Sequence, residues 1–217
     1  MISNQSAKWL NTLERYLGWL AVPNIAVLFV TLQVLGFFLV SVDPIWVARL
    51  ALVPERVLEG EYWRLITFLA LPVASQLIWV IFALWFVYFV LNSIEKEWGE
   101  FKTTLYVLVS IILTISVSFL LHYPITEVSE FQLTLFLAAA TLFPDLEVRL
   151  YFAIPVKMKW LGWFSGGLLI LRFLQFDWYG RIYLLAIYSN YLIFFGPALW
   201  GSIKQTIRRE QYKRKLK

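Results

Sequence analysis

The sequence has 217 residues, of which 60% are hydrophobic, 18% aromatic and 15% charged, with a formal net charge of +5. A mean hydropathy of +0.70 excludes a soluble globular domain, because so few charges cannot cover the surface of a chain of this length. The absence of cysteine excludes disulfides, thiolate catalysis and cysteine metal sites, and the single histidine, His122, argues against any metal site. We therefore expect one membrane domain of several spans, with no cofactor and no nucleic-acid partner.

The first segment, residues 1–20, predicts an amphipathic helix that lies on a membrane surface. Between Ser6 and Leu20, apolar residues recur at helical spacing opposite polar ones. These apolar residues are Trp9, Leu10, Leu13, Leu17 and Leu20. No small-residue cleavage site follows them, so we expect the segment to be retained.

Residues 21–203 predict six membrane spans, the first over residues 21–42. Its polar residues Asn24 and Gln33 are expected to face other helices and form hydrogen bonds there. The following loop, residues 43–64, carries too much apolar surface for free water. We expect it to form short helices in the outer membrane interface.

The second and third spans are predicted over residues 68–92 and 103–126. Pro72 cannot continue a helix, so the second helix is expected to start after Ser75. Residues 92–102 read as a short charged turn between the two spans.

The fourth span is predicted to be short, because only fourteen uncharged residues separate Glu130 from Asp145. Fourteen residues make about 21 Å of helix, against about 30 Å of hydrocarbon. Such a segment must be shielded by other helices or lie where the bilayer is thin. A linker over residues 145–159 and two further spans, residues 160–176 and 182–203, complete the predicted domain.

The placement of basic residues predicts that both termini are cytoplasmic. Fourteen Lys and Arg residues fall on the side of the termini and five on the other side. Seven of the fourteen lie in the basic tail, residues 204–217, where we expect anionic lipid or a soluble partner to bind. We expect the protein to lie in a prokaryotic inner membrane.

Two motifs resemble the rhomboid superfamily. The first combines the string GEYWRLIT with a downstream E-x-x-x-G, and its matching residues are Gly60, Glu61, Trp63, Arg64, Glu95 and Gly99. The second is the linker Ile154-Pro155-Val156-Lys157-Met158-Lys159-Trp160, preceded by Phe143-Pro144. The string WRLIT is most similar to derlins, the proteolytically inactive branch. The resemblance implies a six-helix rhomboid-like bundle with an N-terminal amphipathic helix.

The residues that an active rhomboid requires do not occur at the matching positions. The fourth segment starts Glu130-Phe131-Gln132 without G-x-S-G, the sixth contains no histidine, and the second has no oxyanion-hole histidine or asparagine before Asn92. A serine needs a base to become a nucleophile, so we assign no catalytic residue. Ser165 with His122 is the nearest alternative dyad, but we expect roughly 15–20 Å between them along the membrane normal. Gly162 and Gly166 are expected instead to allow close helix packing.

The resemblance implies a pseudoprotease that binds membrane-protein clients through a lateral opening between the second and fifth spans. The expected roles are quality control, trafficking or retrotranslocation with local membrane thinning. Six large aromatic residues are candidates to line the opening: Trp79, Trp85, Phe86, Trp160, Trp163 and Phe164. Packed or lipid-facing rings are the alternative for each of them.

Two other functions remain open at this point. An unconventional intramembrane serine protease would lose activity in Ser165→Ala. A small transporter or channel would depend on Glu127 or Glu130, which lie beside the expected start of the fourth span. Asp177 with Arg172 or Arg181 is an expected pair at the outer surface, without an assigned function.

Overall fold

The computed structural model describes residues 8–150 and 154–215. Within these ranges the chain is mostly helical, and three helices are long and apolar enough to cross a membrane. They are α2 (Ile25–Val42), α6 (Leu77–Trp98) and α7 (Glu100–Leu121). These helices support the expected class, an all-α membrane protein.

The other described elements are shorter or less apolar. They are α1 (Lys8–Leu17), α3 (Ile45–Leu50), α4 (Pro54–Leu58), α5 (Arg64–Thr67), α8 (Ser129–Leu142), β1 (Glu147–Leu150), β2 (Ile154–Lys157), α9 (Met158–Gln175) and α10 (Trp178–Lys215). Short 3₁₀ helices follow α1 and α5. Residues 1–7 of the predicted amphipathic segment and residues 216–217 of the basic tail lie outside the described residues.

The helix α1 confirms the amphipathic prediction from Lys8 onward. Leu10 is completely buried, and the Trp9 ring packs edge-on against Phe194 of α10 with centroids 5.5 Å apart. Glu14 forms an ion pair of 3.6 Å with Lys102 of α7. The apolar face of α1 therefore covers one end of the helix bundle.

The two polar residues of the first span behave differently. Gln33 is buried, and its amide donates hydrogen bonds to the carbonyls of Leu69 and Leu71, so the prediction for Gln33 is confirmed. The prediction for Asn24 is wrong. Asn24 is exposed with φ of 55° just before α2, and its backbone N–H, not its side chain, donates to Glu95.

Gln33→Leu should lower the free energy of unfolding by about 1–3 kcal/mol, because two buried carbonyls beside the Pro72 break would lose their donor. Unfolding in mixed micelles, followed by tryptophan fluorescence, measures the change. Gln175→Leu is the matched control, since Gln175 is exposed at the end of α9 and should change stability by less than about 0.5 kcal/mol. Equal losses in the two variants would contradict the bracing role of Gln33.

The second helix starts at Leu77, as the Pro72 break predicts, but it does not end at Asn92. The predicted charged turn over residues 92–102 is wrong, since α6 continues to Trp98 and α7 begins at Glu100. Glu and Lys have good helix propensity, so a charged stretch does not by itself end a helix. The chain turns only at Gly99, whose φ of 91° is accessible to glycine at little cost.

The segment predicted as the fourth span forms a short helix that is packed among other helices, as predicted. The 14 residues of α8 pack against α6, α9 and α10, and most of their side chains are buried. Tyr106 of α7 donates from its hydroxyl to the Thr134 carbonyl, and Asn190 of α10 donates to the Tyr106 carbonyl. The first bond joins α8 to α7, and the second joins α7 to α10.

The two glycines of the fifth segment differ in their surroundings. A Cβ at Gly162 would come within 2.9 Å of the Ala140 Cβ, so α9 approaches α8 closely there. A Cβ at Gly166 would meet nothing within 4 Å. The packing prediction is therefore confirmed for Gly162 and wrong for Gly166.

The linker between α8 and α9 contains an antiparallel hairpin that the sequence analysis did not predict. Glu147 of β1 is opposite Lys157 of β2. Lys159 donates to Asp145 across 2.9 Å, and this hydrogen bond lowers the pKa of the Asp145 carboxyl. The pair holds the two ends of the linker together.

Candidate functional site: a groove between α6 and α9

A groove of about 480 Å³ lies between α6 and α9, with α8 as its floor. We call it the α6–α9 groove, and its lining consists of Val73, Phe82, Ala83, Phe86, Val87, Val90, Ser129, Gln132, Leu133, Leu135, Phe136, Leu161, Phe164, Ser165, Leu168, Leu169 and Arg172. A volume of this size is typical of sites for small molecules or side chains.

The groove exists because α6 and α9 each pack on α8 but make little contact with each other. Gly162 brings one end of α9 close to α8. A Cβ at Gly166 would meet nothing within 4 Å, and beyond it Leu168, Leu169 and Arg172 line the groove. The opening lies between the second and fifth predicted spans, which is where the resemblance to rhomboids implies one.

The six aromatic residues expected at the opening divide into two groups. Phe86 and Phe164 line the groove, and Phe86 also packs on Phe136 of α8 with ring centroids 5.7 Å apart. The other four lie outside the described lining and have exposed side chains: Trp79, Trp85, Trp160 and Trp163. Contact of any of these six with a client stays a prediction.

One end of the groove carries a charged cluster that joins three helices. Glu130, in the first turn of α8, is 4% exposed and forms an ion pair with Nη1 of Arg172 in α9. Its other carboxylate oxygen accepts a hydrogen bond of 2.7 Å from the Tyr188 hydroxyl of α10. We call Glu130, Arg172 and Tyr188 the polar cluster.

The polar cluster corrects the expected pairing of Asp177. Asp177 accepts from the backbone N–H of Gly180 at the start of α10, while Arg181 donates to the carbonyls of Phe173 and Leu174. Glu130, the partner of Arg172, was not predicted from the sequence. The predicted six-span layout could have suggested this pair. It puts Glu130, at the start of the fourth span, and Arg172, near the end of the fifth, on the same side of the membrane.

Ser165 and His122 lie in different environments. Ser165 lines the groove. His122, at the end of α7, has its Nδ1 atom 3.0 Å from a carboxylate oxygen of Glu55 in α4. Two hydrogen bonds lower the pKa of the exposed Glu55 carboxyl. The larger effect comes from a backbone hydrogen bond at Glu55 and the smaller from the hydrogen bond with His122. Nothing in this arrangement directs the imidazole toward Ser165.

The residues of the motif that resembles rhomboids stabilise loops and turns, and none of them lines the groove. Arg64 is buried and donates to Glu61 and to the carbonyls of Ala48 and Ala51 in and after α3. Glu95 accepts from the start of α2 across 2.8 Å, while Trp63 is exposed. Gly60, with φ of 108°, and Gly99 make turns. The predicted short helices of the 43–64 loop are confirmed as α3 and α4.

Among the side chains that the structure describes, those of residues 9–148 and 155–196, no three His, Asp or Glu are grouped so that they could hold a metal ion. No family model, curated protein or solved structure matches the chain. Its helices define a membrane-embedded, mostly helical protein with an apolar groove that has one charged end.

Proposed function

We propose that this chain is a rhomboid-like pseudoprotease that binds segments of other membrane proteins in the α6–α9 groove without cleaving them. The observation that carries the proposal is the groove itself, which opens between two helices that scarcely touch and is lined almost entirely by apolar side chains. Such a surface suits an apolar helix that enters from the bilayer. The motif around Trp63 and Arg64 adds the resemblance to derlins.

In this proposal, α8, α9 and the first part of α10 cross the membrane together with α2, α6 and α7, which makes six spans. The excess of basic residues on one side supports cytoplasmic termini. The short α8 supports local thinning of the bilayer, which lowers the cost of moving polar segments of a client. A role in membrane-protein quality control, trafficking or retrotranslocation in a prokaryotic inner membrane fits these features.

The polar cluster supports binding rather than cleavage. In rhomboid proteases the fourth span supplies the serine nucleophile and the sixth supplies the histidine base. Here the start of α8 and the middle of α10 are joined by Glu130 and Tyr188. Both carboxylate oxygens of Glu130 already have partners in Arg172 and Tyr188, and α10 contains no histidine that could act as the base for a serine.

A photocrosslinking amino acid at position 164 should capture single-span membrane proteins, because Phe164 lines the groove. The same amino acid at position 112 is the control, since Ile112 is an exposed residue of α7 outside the groove lining. Crosslinked products are identified by mass spectrometry after capture in native membranes.

Filling the groove provides the decisive comparison. Ala83→Trp puts a large ring into the groove and should reduce capture at position 164 by about tenfold. Val34→Trp, at an exposed position of α2, should leave capture unchanged. Equal capture at positions 164 and 112, or no effect of Ala83→Trp in a folded protein, would refute client binding in the groove.

A further inference from the structure

Arg172 is the only charged side chain among the described residues that line the α6–α9 groove. Its Nη1 atom donates to Glu130, and its side chain is 47% exposed. No other described atom accepts a hydrogen bond from its remaining guanidinium nitrogens. An arginine keeps its charge in any protein environment, so at the edge of a bilayer the free donors favour an anionic acceptor.

Neutral donors lie at the same end of the groove. Ser129 and Gln132 flank Glu130 in the first turn of α8, and both line the groove. The Ser129 hydroxyl is buried and has no hydrogen-bond partner among the described residues, and the partly buried Gln132 side chain lies in the same lining. A buried polar group without a partner costs free energy, which a ligand oxygen at this end would offset.

Apart from Ser165, the rest of the groove lining is apolar, and it extends along α9 from Leu161 to Arg172. At about 1.5 Å per residue these positions span about 16 Å, which is close to half of the ~30 Å hydrocarbon thickness. The groove therefore has the length of one lipid leaflet, with its charged end near the end of α9, at the level of the headgroups.

We infer that the α6–α9 groove binds an anionic phospholipid, with its phosphate against Arg172, Gln132 and Ser129 and one acyl chain along the apolar part. A zwitterionic lipid fits less well because its cation would need an acid, and Glu130 is buried with both carboxylate oxygens occupied. The guanidinium is suited to bind phosphate through two parallel hydrogen bonds. This site differs from any lipid contact of the basic tail, and it does not depend on client binding.

The test uses the full chain in vesicles that contain phosphatidylcholine, with a trace of phosphatidylglycerol or phosphatidylcholine carrying a photoreactive group in the acyl chain. We expect phosphatidylglycerol to label residues of the groove lining, such as Phe86, Phe164 and Leu168, about tenfold more than phosphatidylcholine. Inorganic phosphate at millimolar concentration should not reduce the labelling, because it has no chain to occupy the groove.

Arg172→Gln should reduce the groove labelling by phosphatidylglycerol about tenfold. Because this variant leaves Glu130 unpaired, the double variant Glu130→Gln/Arg172→Gln repeats the test with a neutral cluster and should show the same loss. Arg49→Gln is the control, since it removes one exposed positive charge elsewhere. All variants keep the basic tail, so its contribution cancels.

Three results would overturn the inference. They are equal labelling by the two lipids, equal labelling of the double variant and Arg49→Gln, and labelling confined to residues outside the groove. A crosslinked protein segment in the groove with no lipid label there would also overturn it, and would leave the client-binding proposal intact.

Discussion

Arg64→Ala should lower the free energy of unfolding by about 3–5 kcal/mol, a loss typical of removing one member of a buried ion pair. The Arg64 side chain is 7% exposed, and its Nε atom lies 2.5 Å from a carboxylate oxygen of Glu61. Its Nη1 atom donates to the carbonyls of Ala48 and Ala51, each across 2.7 Å. One guanidinium thus holds the end of α3 against the start of α5, and alanine would leave three acceptors without their donor.

Arg56→Ala is the matched control for this prediction. Arg56 lies in α4 and pairs with Glu59 and Glu61, but its side chain is 59% exposed. Exposed pairs contribute about 0–1 kcal/mol, so the free energy of unfolding of Arg56→Ala should stay close to that of the original protein. The stability of Arg64→Lys should lie between those of Arg64→Ala and Arg56→Ala, because a lysine ammonium lacks the planar guanidinium that reaches acceptors on two sides. Chemical unfolding in mixed micelles measures all three variants.

Two outcomes would count against the role of Arg64 in holding α3 against α5. One is a loss in Arg64→Ala no greater than in Arg56→Ala. The other is full stability of Arg64→Lys, which would mean that charge alone matters and that the two-sided geometry of the guanidinium does not.

The sequence predicts well those features that depend on short stretches of chain. Pro72 interrupts the helix regardless of its neighbours, and the start of α6 at Leu77 follows from it. The spacing between Glu130 and Asp145 limits the apolar segment, and α8 has the predicted length. Apolar periodicity identifies α1 in the same local way.

Features that depend on packing between distant segments are much harder to predict. The sequence suggested Asp177 as the partner of Arg172, and only the packing of α9 on α8 selects Glu130 instead. Likewise, Trp160 and Trp163 were candidates because they are large aromatic residues in the fifth predicted span. The rotation of α9 exposes them and puts Phe164 in the groove lining. A helix rotation is set by its neighbours and cannot be read from composition.

The close approach of α2 to the 3₁₀ turn before Pro72 also lacks a clear signal in the sequence. Gly36 lies in the middle of α2, where glycine normally weakens a helix. A Cβ built at Gly36 would lie 1.8 Å from the carbonyl oxygen of Ala70, in the 3₁₀ turn that precedes Pro72. That distance is far inside van der Waals contact, so the two backbones touch only because residue 36 has no side chain.

Gly36→Ala should therefore lower the free energy of unfolding by about 1–3 kcal/mol or more, since the added methyl group must push α2 away from the 3₁₀ turn. The displacement would also lengthen the hydrogen bonds from Gln33 to the Leu69 and Leu71 carbonyls, which lie on either side of the contact. Unfolding in mixed micelles measures the loss of stability.

Gly166→Ala is the matched control, because a Cβ there meets nothing within 4 Å and alanine favours the helix. It should be neutral or slightly stabilising. If Gly36→Ala behaved like Gly166→Ala, α2 would not be in contact with the 3₁₀ turn. The break before α6 would then lack its support from α2, and the position of α6 beside the groove would need another explanation.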